Sequence, residues 1–156
     1  MDLDALLRQA ISIADRARAH GNHPFGALLA TADGRVALEA ENTVGTTRDV
    51  TGHAETNLVS AATRRFEPAE LATMTLVTSC EPCAMCSGAI YWSGIGGLVY
   101  GLSEKGLLAL TGDDPENPTL DLPCRVVLTA GQRAITVEGP MLEAEAAASH
   151  EGFWRG

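Results

Sequence analysis

The sequence is short of lysine and of long apolar runs, and each shortage closes off a class of protein. Lys105 is the only lysine; with ten arginines it faces 20 acidic residues, and the formal net charge is −9. Phosphate contacts supply most non-specific affinity for nucleic acid, so the absence of any basic stripe disfavours a polyanionic partner. No stretch approaches the roughly 18 uninterrupted apolar residues that a membrane span requires. The opening MDLDALLRQAISIADRARAH starts on acids and mixes polar with apolar residues at helical spacing. A secretory signal would want a basic start and a solid apolar block, so this segment reads as the first helix of a cytoplasmic protein. Cysteine is scarce as well, with four in 156 residues. In a reducing cytosol a few thiols point to metal binding or catalysis more often than to disulfides.

What is present describes a globular chain. A 46% hydrophobic and 20% charged composition is that of a folded domain. Without repeats, linkers or low-complexity tracts, residues 1–156 read as one domain, long enough to bury a core without staples. Leu3, Leu6, Leu7, Ala10, Ile11, Ala14 and Ala17 share one face of a helix that Gly21 ends. Phe25–Ala30 and Val36–Ala40 read as two strands joined at the Asp33-Gly34 turn. A helix from about His53 to Arg65, a strand over Met74–Thr78 and a helix from Pro82 to Trp92 follow. Then come a strand at Leu98–Tyr100, a short helix at Leu107–Leu110, an irregular stretch at Asp113–Pro123, a strand at Ile135–Val137 and a helix over Leu142–Phe153. Strands alternating with helices predict an α/β fold, a three-layer α/β/α sandwich around a mixed sheet of about five strands.

The segment TSCEPCAMCSGAIYW sets Cys80, Cys83 and Cys86 at intervals of three. An iron–sulfur run of this type would continue to a fourth cysteine soon afterward, whereas Cys124 is remote. A redox pair would want a thioredoxin-like start, which the chain lacks. Zinc is the remaining reading. Cys83 and Cys86 fall in the first turn of a helix, on one face, where the positive end of the helix favours thiolates. A catalytic site needs one more ligand and a vacant corner for water. His53 opens another helix, and Glu55, two positions on, can lie beside that corner without entering the metal's shell. His20, His23 and His150 lack any such accompaniment.

His53-Ala-Glu55 followed by Pro82-Cys83-x-x-Cys86 resembles the cytidine-deaminase-like superfamily of zinc hydrolases. The similarity extends from Pro24-Phe-Gly-Ala27 through Asn42 to Tyr100, and within the superfamily the chain looks most like the guanine deaminase and nucleobase deaminase branch. The resemblance implies one Zn²⁺ per chain on His53, Cys83 and Cys86, with Glu55 as proton shuttle and Cys80 and Cys124 as inert core thiols. It also implies substrate contacts from Asn42 and Ala54, a second acid at Asp114 beside the leaving amine, and a homodimer. Phe25 and Trp92 offer faces that could wall a planar base, with core packing the plainer alternative. Phe153 and Trp154 either close over the pocket or dock the last helix.

The activity so implied is hydrolytic deamination of a small nucleobase or nucleoside. Guanine is the first expectation, supported by Asp114, with cytosine, isocytosine or an aminotriazine as alternatives. A tRNA adenosine deaminase shares the motif, but the acidic charge argues against it. A structural zinc module would need a fourth protein ligand, for which Glu55 is the only candidate.

Overall fold

Asp2 opens the first helix by accepting a hydrogen bond from the Ala5 amide at 3.0 Å, satisfying one of the amides that every helix start leaves over. In the computed structural model, which describes residues 1–154, this helix is α1 (Leu3–Ala19), and its apolar stripe from Leu6 to Ala17 is buried. The chain continues through β1 (Gly26–Ala30), β2 (Val36–Glu41), α2 (Val44–Thr47), α3 (Ala54–Arg65) and α4 (Pro68–Leu71). Then follow β3 (Thr75–Cys80), α5 (Ala84–Ser93), β4 (Gly97–Leu102), α6 (Glu104–Thr111), α7 (Cys124–Thr129), β5 (Thr136–Glu138) and α8 (Glu143–Ala148).

The strands form one sheet in the order β2-β1-β3-β4-β5. β1 runs antiparallel to both β2 and β3, while β3, β4 and β5 are parallel. The sheet is therefore mixed, as expected from an opening hairpin followed by helical crossovers. Both faces are covered, because successive side chains of a strand point to opposite sides. Ala27, Leu29, Leu76, Leu98 and Tyr100 face α3, α5 and α7. Their neighbours Leu28, Ala30, Val77 and Val99 face α1 and α8. That alternation, read across three adjacent strands, is the α/β/α sandwich. α1 lies so close to β1 that a Cβ on Gly26 would sit 2.4 Å from the Ala14 nitrogen; only glycine lets the helix settle at that depth.

Several boundaries differ from the sequence reading. Pro82 is not the first helical residue: Cys83 is the N-cap and α5 begins at Ala84. The short helices α2, α4 and α7 were not expected, being too brief to show a hydrophobic period. The last helix stops at Ala148, well before Phe153. Strand β3 runs to Cys80 because its pairing with β4 extends that far, Cys80 lying opposite Leu102. No helix among the described residues is long and apolar enough to cross a membrane.

Candidate active site

Two helix starts meet at the C-terminal ends of the central strands. His53 is the N-cap of α3 and Cys83 the N-cap of α5, each in extended backbone conformation and neither spending its side chain on a capping hydrogen bond. Cys86 lies in the first turn of α5, fully buried. The His53 Nδ1 is 3.7 Å from the Cys83 Sγ and 3.4 Å from the Cys86 Sγ, and the three ligand atoms all lie within 4.8 Å of one another. Zinc bonds of about 2.3 Å to sulfur and 2.0–2.1 Å to nitrogen, at tetrahedral angles, place ligand atoms roughly 3.5–3.8 Å apart. The triangle therefore has the size and donor chemistry of three corners of a zinc tetrahedron.

Electrostatics couple the three groups to one another. Cys83 is drawn down to about 4, first by its hydrogen bond with Cys86 and also by His53. His53 is raised, chiefly by its bond to Cys83. Cys86 is held above its usual range by the same sharing of one proton with Cys83 and by burial. A doubly deprotonated pair thus requires a cation, which is what the triangle is built to hold.

Glu55, in the first turn of α3, is 4% exposed. Its Oε1 accepts a hydrogen bond from the Thr78 hydroxyl at 2.6 Å, and its Oε2 lies 3.5 Å from the Cys86 Sγ. Burial raises its pKa against the opposing pull of Thr78. Anchored on β3, the carboxyl stands beside the triangle and outside it.

His53, Cys83 and Glu55 open onto a cavity of about 390 Å³, also lined by Phe25, Asn42, Met85 and Leu107. Asn42 is buried; its Oδ1 accepts from the Val44 amide at 3.0 Å. Its Nδ2 has no acceptor among the described residues. Ala54 is buried in the core on the α3 side, and its amide belongs to the helix start. The irregular stretch before α7 folds across the opening, with Glu116 to Leu120 on its inner side. The His23 Nε2 meets the Glu116 Oε2 at 3.2 Å and ties this stretch to the segment before β1.

Other sequence-predicted residues lie elsewhere. Asp114 is buried but does not line the cavity: its Oδ1 accepts from the Glu116 amide at 2.9 Å and its carbonyl from the Asn117 amide. It shapes the turn that carries the covering loop, because a short acceptor side chain two residues before an amide closes an Asx turn. Trp92 is 85% exposed and also outside the cavity, since the rotation of α5 that buries Cys86 and Ile90 turns the indole outward. Cys80 packs in the core on the α1 side, outside the ligand triangle, and Cys124 is buried at the start of α7. Phe153 and Trp154 form an aromatic cluster with His23, Phe25 and His150 behind the cavity wall.

Two acids escaped the sequence reading. Glu81 is a buried clamp: its Oε1 accepts from the Glu104 amide at 3.0 Å and its Oε2 from the Cys124 amide at 2.8 Å, joining the starts of α6 and α7 to the cysteine loop. Glu104 lines the cavity from the first turn of α6, 7% exposed, and is pushed up to about 7, first by burial and then by the Cys83, Glu81 and Glu55 charges. The Glu-Pro-Cys context was the available signal for Glu81. Glu104 had none, because an acid in a first helical turn is ordinarily a solvated partner of the helix dipole.

The family model described as the cytidine and deoxycytidylate deaminase zinc-binding region matches residues 1–102. A relative described as a probable cytosine deaminase from Schizosaccharomyces pombe is 45% identical over 152 residues, covering 97% of this chain and 92% of that protein. This chain belongs to the cytidine and deoxycytidylate deaminase family. As a deaminase it is a hydrolase of C–N bonds. The guanine deaminase of Bacillus subtilis is 38% identical over 94 residues, 60% of each chain. The solved structure of a guanine deaminase from Nitrosomonas europaea superposes with a TM-score of 0.74 at 28% identity, covering 94% of this chain and 81% of that one.

Proposed function

We propose that the protein is a zinc-dependent aminohydrolase of a free nucleobase, with one ion per chain on His53, Cys83 and Cys86 and cytosine as the first substrate. The observation that carries this reading is the ligand triangle with Glu55 beside it at the floor of a cavity. Bound zinc supplies a Lewis acid that lowers the pKa of coordinated water from about 15.7 toward 7. The chain's residues then move protons. Glu55, fixed through Oε1 by Thr78, takes a proton at Oε2, passes it to the ring nitrogen and next serves the departing amine. The balance is base–NH₂ plus water giving base=O plus ammonia. Asn42 offers its Nδ2 to a ring carbonyl, and Phe25 gives the planar base an apolar wall.

Cytosine comes before guanine for two reasons. Asp114, outside the cavity and closing a turn with the Glu116 amide, lends guanine less weight than the sequence alone gave it. The 45% relative extends over nearly the whole chain. Guanine is the second reading, favoured by the likeness to guanine deaminases. A tRNA substrate finds little support: among the described residues Glu55, Glu81, Glu104 and Glu116 line the cavity and no lysine or arginine does, so a phosphate would meet repulsion. A structural zinc module is disfavoured because Glu55, its only candidate for a fourth ligand, stands outside the group of ligand atoms that lie within 4.8 Å of one another. The homodimer belongs to the same reading, supported by the outward Trp92.

The test is ammonia release from cytosine, guanine, isocytosine, an aminotriazine, their nucleosides and tRNA, alongside zinc content. Turnover of a free base by zinc-loaded protein is expected. Zinc without turnover of any of them would leave a structural site.

A further inference from the structure

Of the four acids on the cavity wall, three are engaged by protein. Thr78 donates to Glu55, the Glu104 and Cys124 amides donate to Glu81, and Glu116 meets His23 at the rim. Glu104 alone presents a carboxyl with no hydrogen-bond partner among the described residues, although more than nine-tenths of the residue is buried. Its oxygens open onto the cavity, so a bound base that displaces water there has to bring a donor in exchange or leave the carboxyl unpaired, which is costly.

The protein-internal explanations fail in turn. Glu104 does not cap α6, because the Ser103 Oγ already accepts from the Gly106 amide. It pairs with no cation among the described residues, none of whose lysines or arginines lines the cavity. It stands outside the ligand triangle. What remains is a hydrogen-bond donor carried by the substrate.

Resting on the free-base reading above, we infer that Glu104 is a specificity residue that accepts a hydrogen bond from the ring N–H a nucleoside lacks. In cytosine the exocyclic amine and its neighbouring ring nitrogen belong to Glu55, and the carbonyl suits the Asn42 Nδ2. The one donor left over is N1–H, the position where a nucleoside bears its sugar; in guanine the corresponding donor is N9–H. A carboxyl accepts such a bond whether ionised or neutral, so the role does not depend on its protonation. An N-substituted base loses twice: it brings no donor, and it leaves Glu104 buried and unpaired. A site that hydrogen-bonds a substrate N–H rejects the analogue lacking it far more strongly than an apolar pocket rejects a methyl group.

The experiment measures kcat/KM for whichever of cytosine or guanine the wild type turns over, and for its 1-methyl or 9-methyl derivative, in wild type, Glu104→Gln and Glu104→Ala. Wild type is expected to favour the unsubstituted base by about 100-fold or more. Glu104→Ala should bring the two substrates to within roughly threefold, the loss on the free base appearing in KM, with zinc content and melting temperature kept. Glu104→Gln, which retains a carbonyl acceptor and the side-chain volume, should fall between them. Equal losses on both substrates would make Glu104 structural and overturn the assignment, as would a preference that survives Glu104→Ala. A wild type that releases ammonia from no base overturns the underlying deaminase reading instead.

Discussion

His53 and His150 are both drawn out of solvent near the same cavity, yet their surroundings push them in opposite directions. Around His53 stand two thiols and Glu55, and the hydrogen bond with Cys83, helped by the Glu55 charge, raises its pKa against burial. Around His150 stand the rings of Phe25 and Trp154, and burial holds its pKa down to about 4. The Trp154 indole donates to the His150 Nδ1 at 2.9 Å, which fixes the proton of the neutral ring on Nε2. One histidine stands among thiols and a carboxyl as a candidate ligand; the other is packed among rings as part of a wall. The same side chain serves chemistry or packing according to its neighbours, and the most direct way to test that contrast is to remove it.

The largest effect is expected at the triangle. His53→Ala, Cys83→Ala or Cys86→Ala should abolish zinc binding, read by metal analysis, and with it all turnover. Cys80→Ala should keep the metal, because its thiol faces the opposite core; a zinc-free Cys80→Ala protein would mean that a different pair of cysteines ligates. Glu55→Gln should retain zinc while lowering kcat by about 10²–10⁴-fold, the range expected when a proton shuttle is lost. Normal turnover by that variant would remove Glu55 from the chemistry.

The His150 side of the contrast is read in stability against pH. Its folded pKa lies below the ordinary 6.5, so between pH 6.5 and about 4 the unfolded chain takes up a proton that the folded chain refuses. Stability from this group is therefore full above pH 6.5 and is lost as the pH falls toward 4, at most about 3 kcal/mol. Melting curves of wild type and His150→Phe should converge as the pH is lowered across that window, with equal zinc content at neutral pH. Parallel curves would show that His150 is free to ionise where it sits.

How much of this was legible beforehand follows the same division. His53, Glu55, Cys83 and Cys86 lie within short segments whose spacing already reports helix starts, so local pattern sufficed. The sandwich was legible for a similar reason, since short apolar runs such as Gly26–Ala30 alternate with helical ones. Glu104, His150 and the place of Asp114 depend on partners far away in sequence. Glu81 reaches the Glu104 amide across 23 positions and Trp154 meets Phe25 across most of the chain. No periodicity encodes such meetings; they emerge only once the sheet has brought the loops together.

Carboxylates repeat the contrast on a smaller scale. Glu55 stands beside the ligands, whereas Asp114 closes a turn with the Glu116 amide. Asp114→Asn keeps an acceptor for that amide, so kcat should stay within about threefold of wild type, the loss being that of a modest hydrogen-bond change. A drop approaching that of Glu55→Gln would place Asp114 against the reacting atoms after all.

The two tryptophans give the smallest expected effect and the sharpest question about assembly. Trp154 is half-buried among aromatic rings, while Trp92 stands 85% exposed, touching the Tyr91 ring edge-on at 5.3 Å. Trp92→Ser removes a side chain that supports little within its own chain, so the melting temperature at low protein concentration should barely move. If a second copy covers the indole, sedimentation should shift toward the 16.3 kDa monomer while KM for the base stays unchanged. A rise in KM without any change in sedimentation would mean that Trp92 reaches a pocket after all, and that the wall drawn here around Phe25 and Asn42 is incomplete.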